Sequence, residues 1–109
     1  MTIINMTPHD ICIIQQEKTV RVIPASGVVA RCDMLRQAQA SLDHIPAYRV
    51  TYGAVQGLPE AKEGIFYIVS SIVALAMRGQ RNDLLVPLDF VRDDAGRILG
   101  CQALAHIEP

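Results

Sequence analysis

Short runs of apolar and β-branched residues, separated by polar turns, dominate the first half of the chain. Residues 11–15 are rich in isoleucine, and residues 19–23 alternate with a period of two, as half-buried strands do. The polar residues 16–18 between them predict a turn, so these two segments are expected to form a β-hairpin. Residues 28–31 and 47–52 are predicted to be two further short strands.

Two segments in the middle of the chain carry weaker signals. Residues 33–43 are rich in helix-forming side chains but lie between two predicted strands. They are expected to form either a helical turn capped by Asp33 or an exposed loop. Residues 53–64 hold three glycines and a proline, which predicts a loop with at least one positive φ angle. Long loops in compact domains often carry function, so Gly57 is a candidate contact residue.

The second half of the chain predicts a strand–helix–strand unit. Residues 65–69 are continuously apolar, which is typical of a buried strand. Ser70 and Ser71 then form an N-cap pair for a short apolar helix over residues 72–78. A strand over residues 84–86 follows, and the unit can form a right-handed crossover.

A second hairpin is predicted near the end of the chain. Pro87 is expected to end the preceding strand, because proline has no N–H to donate. Residues 88–92 and 97–104 then flank an Asp-Asp-Ala-Gly turn, which is the strongest hairpin pattern in this sequence.

Together these elements predict a single domain over residues 1–109 of the α+β class. We expect a strongly bent antiparallel or mixed sheet, or a partly open small barrel, of about seven short strands with one or two short helices. The length suits one domain with its own core.

Composition and charge narrow the function classes. Apolar residues make up 50% of the chain and charged residues 19%, which excludes a disordered protein. The net charge of −1 supplies no general attraction for nucleic acid, so no nucleic-acid partner is expected. With so few charges, part of the surface is expected to be apolar or covered by a second copy, as in a homo-oligomer. No membrane span, signal peptide or disulfide framework is predicted, so we expect a cytoplasmic protein.

Patterns typical of catalysis or of cofactor and metal binding are missing from the sequence. His9, His44 and His106 have no partner at the spacing of a metal site, and the three cysteines form no C-x-x-C pair. We therefore expect a protein without enzyme activity, cofactor or metal. A small enzyme that uses His9 or His44 remains an alternative.

Anion binding is the more specific possibility. Ser70 and Ser71 would present hydroxyls and free N–H groups at a helix start, although a simple N-cap is the favoured explanation for them. Arginine outnumbers lysine eight to two and is the residue preferred for bidentate phosphate recognition. Arg81 and Arg92 are therefore candidate anion partners, with ordinary ion pairs to aspartates as the alternative. His9, in a turn after a proline, is a further candidate for ligand binding or for a local contact.

An ordered series of short motifs covers nearly the whole chain: Asn-Met-Thr-Pro-His at 5–9, Gly-Leu-Pro at 57–59, Tyr-Ile-Val-Ser at 67–70 and Val-Arg-Asp at 91–93. The series resembles a widespread family of small, uncharacterised proteins of bacteria and their phages. The resemblance implies an accessory protein of a phage or mobile element. Many such proteins inhibit host defence by sequestering a nucleotide-derived signal or by blocking a partner protein.

The leading hypothesis is a small, oligomeric, non-catalytic protein that binds a nucleotide-like molecule as an anti-defence sponge. A protein-interaction module that inhibits a host protein is the second hypothesis. The residues expected to contact the ligand are His9, Gly57, Ser70, Ser71, Arg81 and Arg92.

Overall fold

The computed structural model describes residues 1–108 and is built mostly of β-strands. The elements in chain order are β1 (Thr2–Asn5), β2 (Ile11–Gln15), β3 (Lys18–Ile23), β4 (Arg31–Leu42), β5 (Ile45–Gln56), β6 (Ile65–Ile68), α1 (Ser71–Ala76), β7 (Leu84–Arg92) and β8 (Ile98–Ala105). Six strands form one curled half-barrel sheet in the order β1-β6-β7-β8-β2-β3, and β4 and β5 form a separate two-stranded sheet. The expectation of a strongly bent, mixed sheet is confirmed. The α+β class fits only roughly, because α1 is a single short helix.

The predicted strand–helix–strand unit and both predicted hairpins are present. β6 and β7 pair in parallel with α1 between them, and β1 pairs in parallel with β6 on the other side. β2 pairs antiparallel with β3, and β7 with β8. In the β7–β8 turn, one carboxylate oxygen of Asp93 accepts hydrogen bonds from the N–H groups of Ala95 and Arg97. This explains why an aspartate begins the turn.

The half-barrel carries apolar packing on both faces of its sheet. Tyr67, Leu84 and Val86 face α1 and pack with its Val73 in one buried cluster. The intervening Ile68 and Leu85 belong to a second cluster, together with Ile23 of β3. Successive residues of a strand point to opposite faces, so the curl of the sheet brings β3 over the face that α1 leaves open.

The expectation of a helical turn or loop over residues 33–43 is wrong. Residues 33–42 belong to β4, and β5 also extends beyond the predicted strand at 47–52, so each strand has 12 residues. Asp43 and His44 join the strands with φ angles of 50° and 63°, the geometry of a tight two-residue hairpin turn. Cross-strand pairing therefore overrides the helix-forming composition of the segment.

Two smaller expectations also need correction. In the predicted strand over residues 28–31, only Arg31 lies in a strand, β4. Pro87 does not end β7, where it pairs with Leu104 of β8. Because β6 ends at Ile68, opposite Leu85, β7 has no strand on that side at position 87, and proline is tolerated where no ladder bond is required.

The shape of the molecule is more extended than that of a compact domain. Its radius of gyration is 16.3 Å, whereas a compact domain of this length has about 13 Å. The long β4–β5 sheet accounts for the excess, because it joins neither edge of the half-barrel. Within residues 1–108, no helix has the length and apolar character needed to cross a membrane.

Gly100 of β8 lies where β8 and β2 approach each other closely. A Cβ at this position would overlap the backbone oxygen of Cys12 and lie 2.9 Å from Cδ1 of Ile14. We expect Gly100→Ala to lower the free energy of unfolding by about 2–3 kcal/mol, the cost of overpacking a tight site. Gly53→Ala is the control, since the nearest atoms to a Cβ at Gly53 are 3.6 Å away, and should change stability by less than about 0.5 kcal/mol. Urea denaturation measures both, and equal effects would contradict this packing.

Candidate functional site

An open cavity of about 490 Å³ lies where the loop after β1, the start of α1 and the β7–β8 hairpin meet. Three of the six residues expected to bind ligand line it: His9, Ser70 and Ser71. They come from separate segments of the chain, so the fold, and not their sequence spacing, brings them together. This cavity is the candidate functional site.

The side chain of Asn5 builds the loop that carries His9. Asn5 is 1% exposed, and its Oδ1 accepts hydrogen bonds from the N–H of Thr7 at 2.9 Å and from the hydroxyl of Thr7 at 2.6 Å. Its Nδ2 donates to the carbonyl oxygens of His9 at 2.7 Å and of Ile23 at 3.0 Å. The first part of the Asn-Met-Thr-Pro-His motif is therefore a structural device that holds His9 at the rim of the cavity.

Ser70 performs the capping role that its position predicts. Its Oγ accepts a hydrogen bond from the N–H of Val73 at 3.3 Å, and its backbone is extended. Ser71 is the first residue of α1, and both serines line the cavity. The cap accounts for the position of Ser70, and Ser71 stays a candidate for ligand contact.

Apolar side chains form the rest of the cavity lining, and sequence reasoning missed them as site residues. Phe90 is 49% exposed, and Ile98 and Leu99 are each 52% exposed, although all three line the cavity together with Ile11. Each lies in a strand that was predicted as part of the sheet. The period-two pattern places a residue on one face or the other but does not show which face is open to solvent.

The cavity also contains two cysteine side chains, Cys12 and Cys101. Cys101 is buried, and this burial raises the pKa of its thiol above the ordinary value. The neutral thiol therefore prevails at neutral pH, and it adds apolar surface to the cavity instead of a reactive thiolate.

Arg81 lies elsewhere, in a second cavity of about 480 Å³ at the other end of α1. Its guanidinium makes two parallel bonds to Asp83, from Nε to Oδ1 at 2.8 Å and from Nη2 to Oδ2 at 2.7 Å. The hydrogen bond to Arg81 is the main cause that lowers the pKa of Asp83, and the same bond raises the pKa of Arg81. The ion-pair alternative is thus the observed role of Arg81. His106 also lines this cavity, with Nδ1 3.0 Å from the carbonyl oxygen of Leu84.

Arg92 and Gly57 line neither cavity, and the structure gives both a local role. Nη1 of Arg92 donates to the carbonyl oxygen of Gly96 at 2.9 Å, which supports the β7–β8 turn. Gly57 has a φ angle of 80°, and a Cβ there would lie 2.6 Å from the carbonyl oxygen of Val29. Glycine is required at position 57 because the two backbone segments approach each other closely there.

Metal ligands do not cluster in the part of the chain that the structure describes. No group of three or more His, Cys, Asp or Glu side chains there is placed to hold a metal ion. Buried side-chain nitrogen and oxygen atoms of residues 1–108 all have hydrogen-bond partners. The chemistry of the candidate site therefore rests on the imidazole of His9, the carboxylate of Asp10, the hydroxyls of threonine and serine side chains, and apolar side chains.

The Arg81–Asp83 ion pair generates a pH-dependent prediction. The pKa of Asp83 is lower in the folded state than in the unfolded state. The stabilisation that ionised Asp83 gives the fold is therefore fully present above the unfolded-state pKa of about 4. It is lost as the pH falls through the folded-state pKa. We expect Asp83→Asn to cost about 2 kcal/mol of unfolding free energy at neutral pH, and this difference to shrink near pH 3. Urea denaturation at both pH values measures it, with the exposed turn variant Asp94→Asn as a control that should show no difference. A cost that stays constant with pH would contradict the pairing.

Comparison of the chain with family models, with curated proteins and with solved structures finds no match in any of the three. The arguments for function therefore come from the geometry and chemistry of the cavity. His9, Ser71 and Phe90 are the residues on which those arguments depend.

Proposed function

We propose that the protein is a small, non-catalytic binding protein that sequesters a nucleotide-derived molecule in the cavity between His9, Ser71 and Phe90. The observation that carries the proposal is the convergence of three predicted ligand-binding residues on one cavity with an apolar wall. Small-molecule sites are usually concave and mostly apolar, with a few placed polar groups. This cavity has that composition.

The volume of the cavity suits a ligand of nucleoside or nucleotide size. Sites for small molecules usually measure about 300–1,000 Å³, and this cavity measures about 490 Å³. A planar base could lie against Phe90 and Leu99, since aromatic side chains stack well on flat rings. The hydroxyl of Ser71 and the imidazole of His9 could then bond the sugar or a polar edge of the base.

The charges at the cavity indicate which part of the ligand is recognised. His9 and Asp10 are its titratable side chains apart from the two cysteines, and no arginine or lysine of the described chain lines it. A phosphate would therefore find hydrogen-bond donors but no bidentate guanidinium, and the carboxylate of Asp10 would repel it. We expect the base and sugar to supply most of the binding free energy, with little gain from each added phosphate.

Sequestration, rather than turnover, fits the chemistry of the residues at the site. Ser70 Oγ is engaged as a helix cap, and the Cys101 thiol is kept neutral by burial. Neither is therefore an activated nucleophile. The resemblance to phage and bacterial accessory proteins supports a role in the host cytoplasm, where removal of a nucleotide-derived signal would silence a defence response.

A second candidate function is that of an interaction module that inhibits a host protein. The observation in its favour is the long β4–β5 sheet, whose side chains include exposed Met34, Leu35 and Tyr48. Such a surface is larger than a small-molecule site requires. Binding of a nucleotide-derived molecule at the cavity would not depend on it.

The proposed function is tested by titrating the purified protein with nucleosides, mononucleotides, cyclic dinucleotides, ADP-ribose and NAD. Thermal unfolding should shift for at least one of them, because ligand at 100 times its dissociation constant adds about 2.7 kcal/mol of stability. Phe90→Ala should weaken that binding at least tenfold by calorimetry. Leu88→Ala is the matched control, since Leu88 lies on the same strand with similar exposure, 46% against 49%, but outside the cavity.

Two outcomes would contradict the proposal. If no compound in the panel shifts the unfolding temperature, the cavity does not bind nucleotide-derived molecules. If chromatography of the ligand released by heat shows a converted product, the protein is an enzyme and not a sponge. Unchanged ligand and selective weakening by Phe90→Ala would support it.

A further inference from the structure

Asp10 supplies the only carboxylate among the described residues that line the candidate cavity. The ion pairs of the described chain lie elsewhere, one between Arg81 and Asp83 and one between Arg97 and Asp93. No cation of the protein therefore neutralises Asp10, and its side chain is exposed to solvent. A free negative charge in a cavity otherwise lined by uncharged and imidazole side chains selects among ligands.

Hydrogen bonds on both sides of Asp10 hold it in place. Its Oδ1 accepts from the N–H of Ala25 at 2.9 Å. The carbonyl oxygen of the preceding residue, His9, accepts from the side chains of Asn5 and Thr7. Within the described residues no hydrogen bond reaches Oδ2 of Asp10, and Oδ1 keeps a second lone pair. The carboxylate is therefore fixed in position while both of its oxygens can still accept a bond from a ligand.

The charge of Asp10 determines which end of a nucleotide lies near it. A carboxylate repels a phosphate, and no lysine or arginine of the described chain lines the cavity to offset this repulsion. The arrangement with the least repulsion directs the phosphate toward solvent and turns the base toward Asp10. With the plane of the base against Phe90, as in the proposed function, the edge of the base then meets the carboxylate.

The edges of the common bases differ in how many donors they offer to a carboxylate, which can only accept hydrogen bonds. Guanine presents two neighbouring donors, the N1–H and the amino group at N2. Adenine and cytosine each present one amino group beside a ring nitrogen that is an acceptor. Uracil presents one N–H between two carbonyl oxygens. Guanine is therefore the common base whose Watson–Crick edge matches a carboxylate at both oxygens.

We propose that Asp10 binds the Watson–Crick edge of a guanine base, so that the molecule held in the cavity is a guanine nucleotide or a derivative of one. The inference rests on the proposed function and names the base that the same cavity takes. N1–H donates to one oxygen of Asp10, and the N2 amino group donates to the other. These two parallel bonds repeat the geometry of an arginine–carboxylate pair, which is among the stronger hydrogen-bonded arrangements in proteins.

Ribose is the other part of a nucleotide that offers two neighbouring donors, its 2′ and 3′ hydroxyls. Carboxylates bind these hydroxyls in some nucleotide sites. In this cavity that arrangement brings the phosphate, which is attached to the same sugar, toward Asp10 with no cation of the described chain to offset the repulsion. The two arrangements are distinguishable, because a residue that binds ribose does not discriminate between guanine and adenine.

The first test compares three 5′-monophosphates by calorimetry on the unmodified protein: those of guanosine (GMP), inosine (IMP) and adenosine (AMP). Their sugar and phosphate are the same, so differences in affinity report the base edge alone. IMP lacks the N2 amino group and should bind about 3–10-fold more weakly than GMP. AMP should bind at least about tenfold more weakly, because it meets the carboxylate with an acceptor in place of N1–H.

Asp10→Asn provides the second test. The variant keeps an oxygen for the N–H of Ala25 but replaces the other oxygen with an amide donor, which faces the N2 amino group of guanine. GMP should bind at least about tenfold more weakly to Asp10→Asn, while AMP should bind equally well or more tightly. Asp94→Asn is the matched control, since Asp94 is exposed in the β7–β8 turn and lies outside the cavity. It should keep the preference for GMP, and thermal unfolding confirms that both variants fold.

The outcomes separate this inference from the proposed function. Equal affinity for GMP and AMP, or tighter binding of AMP, would overturn the assignment of guanine and leave nucleotide binding in place. A loss in Asp10→Asn that is the same for GMP and AMP, and that vanishes with 2′,3′-dideoxy-GMP, would assign Asp10 to the ribose and overturn it as well. If no nucleoside or nucleotide binds, both the proposed function and this inference are wrong.

Discussion

The fold depends on one buried amide, the side chain of Asn5 at the end of β1. β1 and β3 are the two edge strands of the half-barrel, and Nδ2 of Asn5 joins them by its bond to the carbonyl oxygen of Ile23. The backbone carbonyl of Asn5 accepts from the N–H of Ser26 on the same side. A buried amide with all its hydrogen bonds made stabilises and specifies a structure, whereas each bond left unmade costs about 1–3 kcal/mol.

The same side chain connects the fold to the candidate site. Its bonds to Thr7 and to the carbonyl oxygen of His9 shape the loop that forms one side of the cavity. The other sides come from α1, whose cap at Ser70 ends the parallel strand β6, and from the β7–β8 hairpin with Phe90. The cavity exists because these three segments meet above a curled sheet. The β4–β5 sheet makes no contribution to it.

Local patterns predicted the elements whose stability is local, and missed those that depend on distant contacts. The hairpins, the cap at Ser70 and the parallel unit follow from turn residues, capping and apolar runs. Residues 33–43 were misjudged because helix propensity is weak against the pairing of two long strands. Arg81 was predicted to bind a ligand, but its guanidinium forms an ion pair with Asp83, two residues away. The turn that Asn5 makes with Thr7 could have been predicted from the sequence, because asparagine two residues before threonine favours a side-chain turn. No pattern in the sequence indicates the hydrogen bond from Asn5 to Ile23.

The central claim is that the Asn5 side chain closes the half-barrel and shapes the cavity loop, and its most direct test is the free energy of unfolding of Asn5→Ala. This change removes the side-chain donor to the carbonyl oxygen of Ile23 and the acceptor of the Thr7 N–H, and it leaves the carbonyl oxygen of His9 with the Thr7 hydroxyl alone. The account predicts a loss of about 3–4 kcal/mol in urea denaturation. A loss of less than about 1 kcal/mol, the size of a single exposed hydrogen bond, would contradict it.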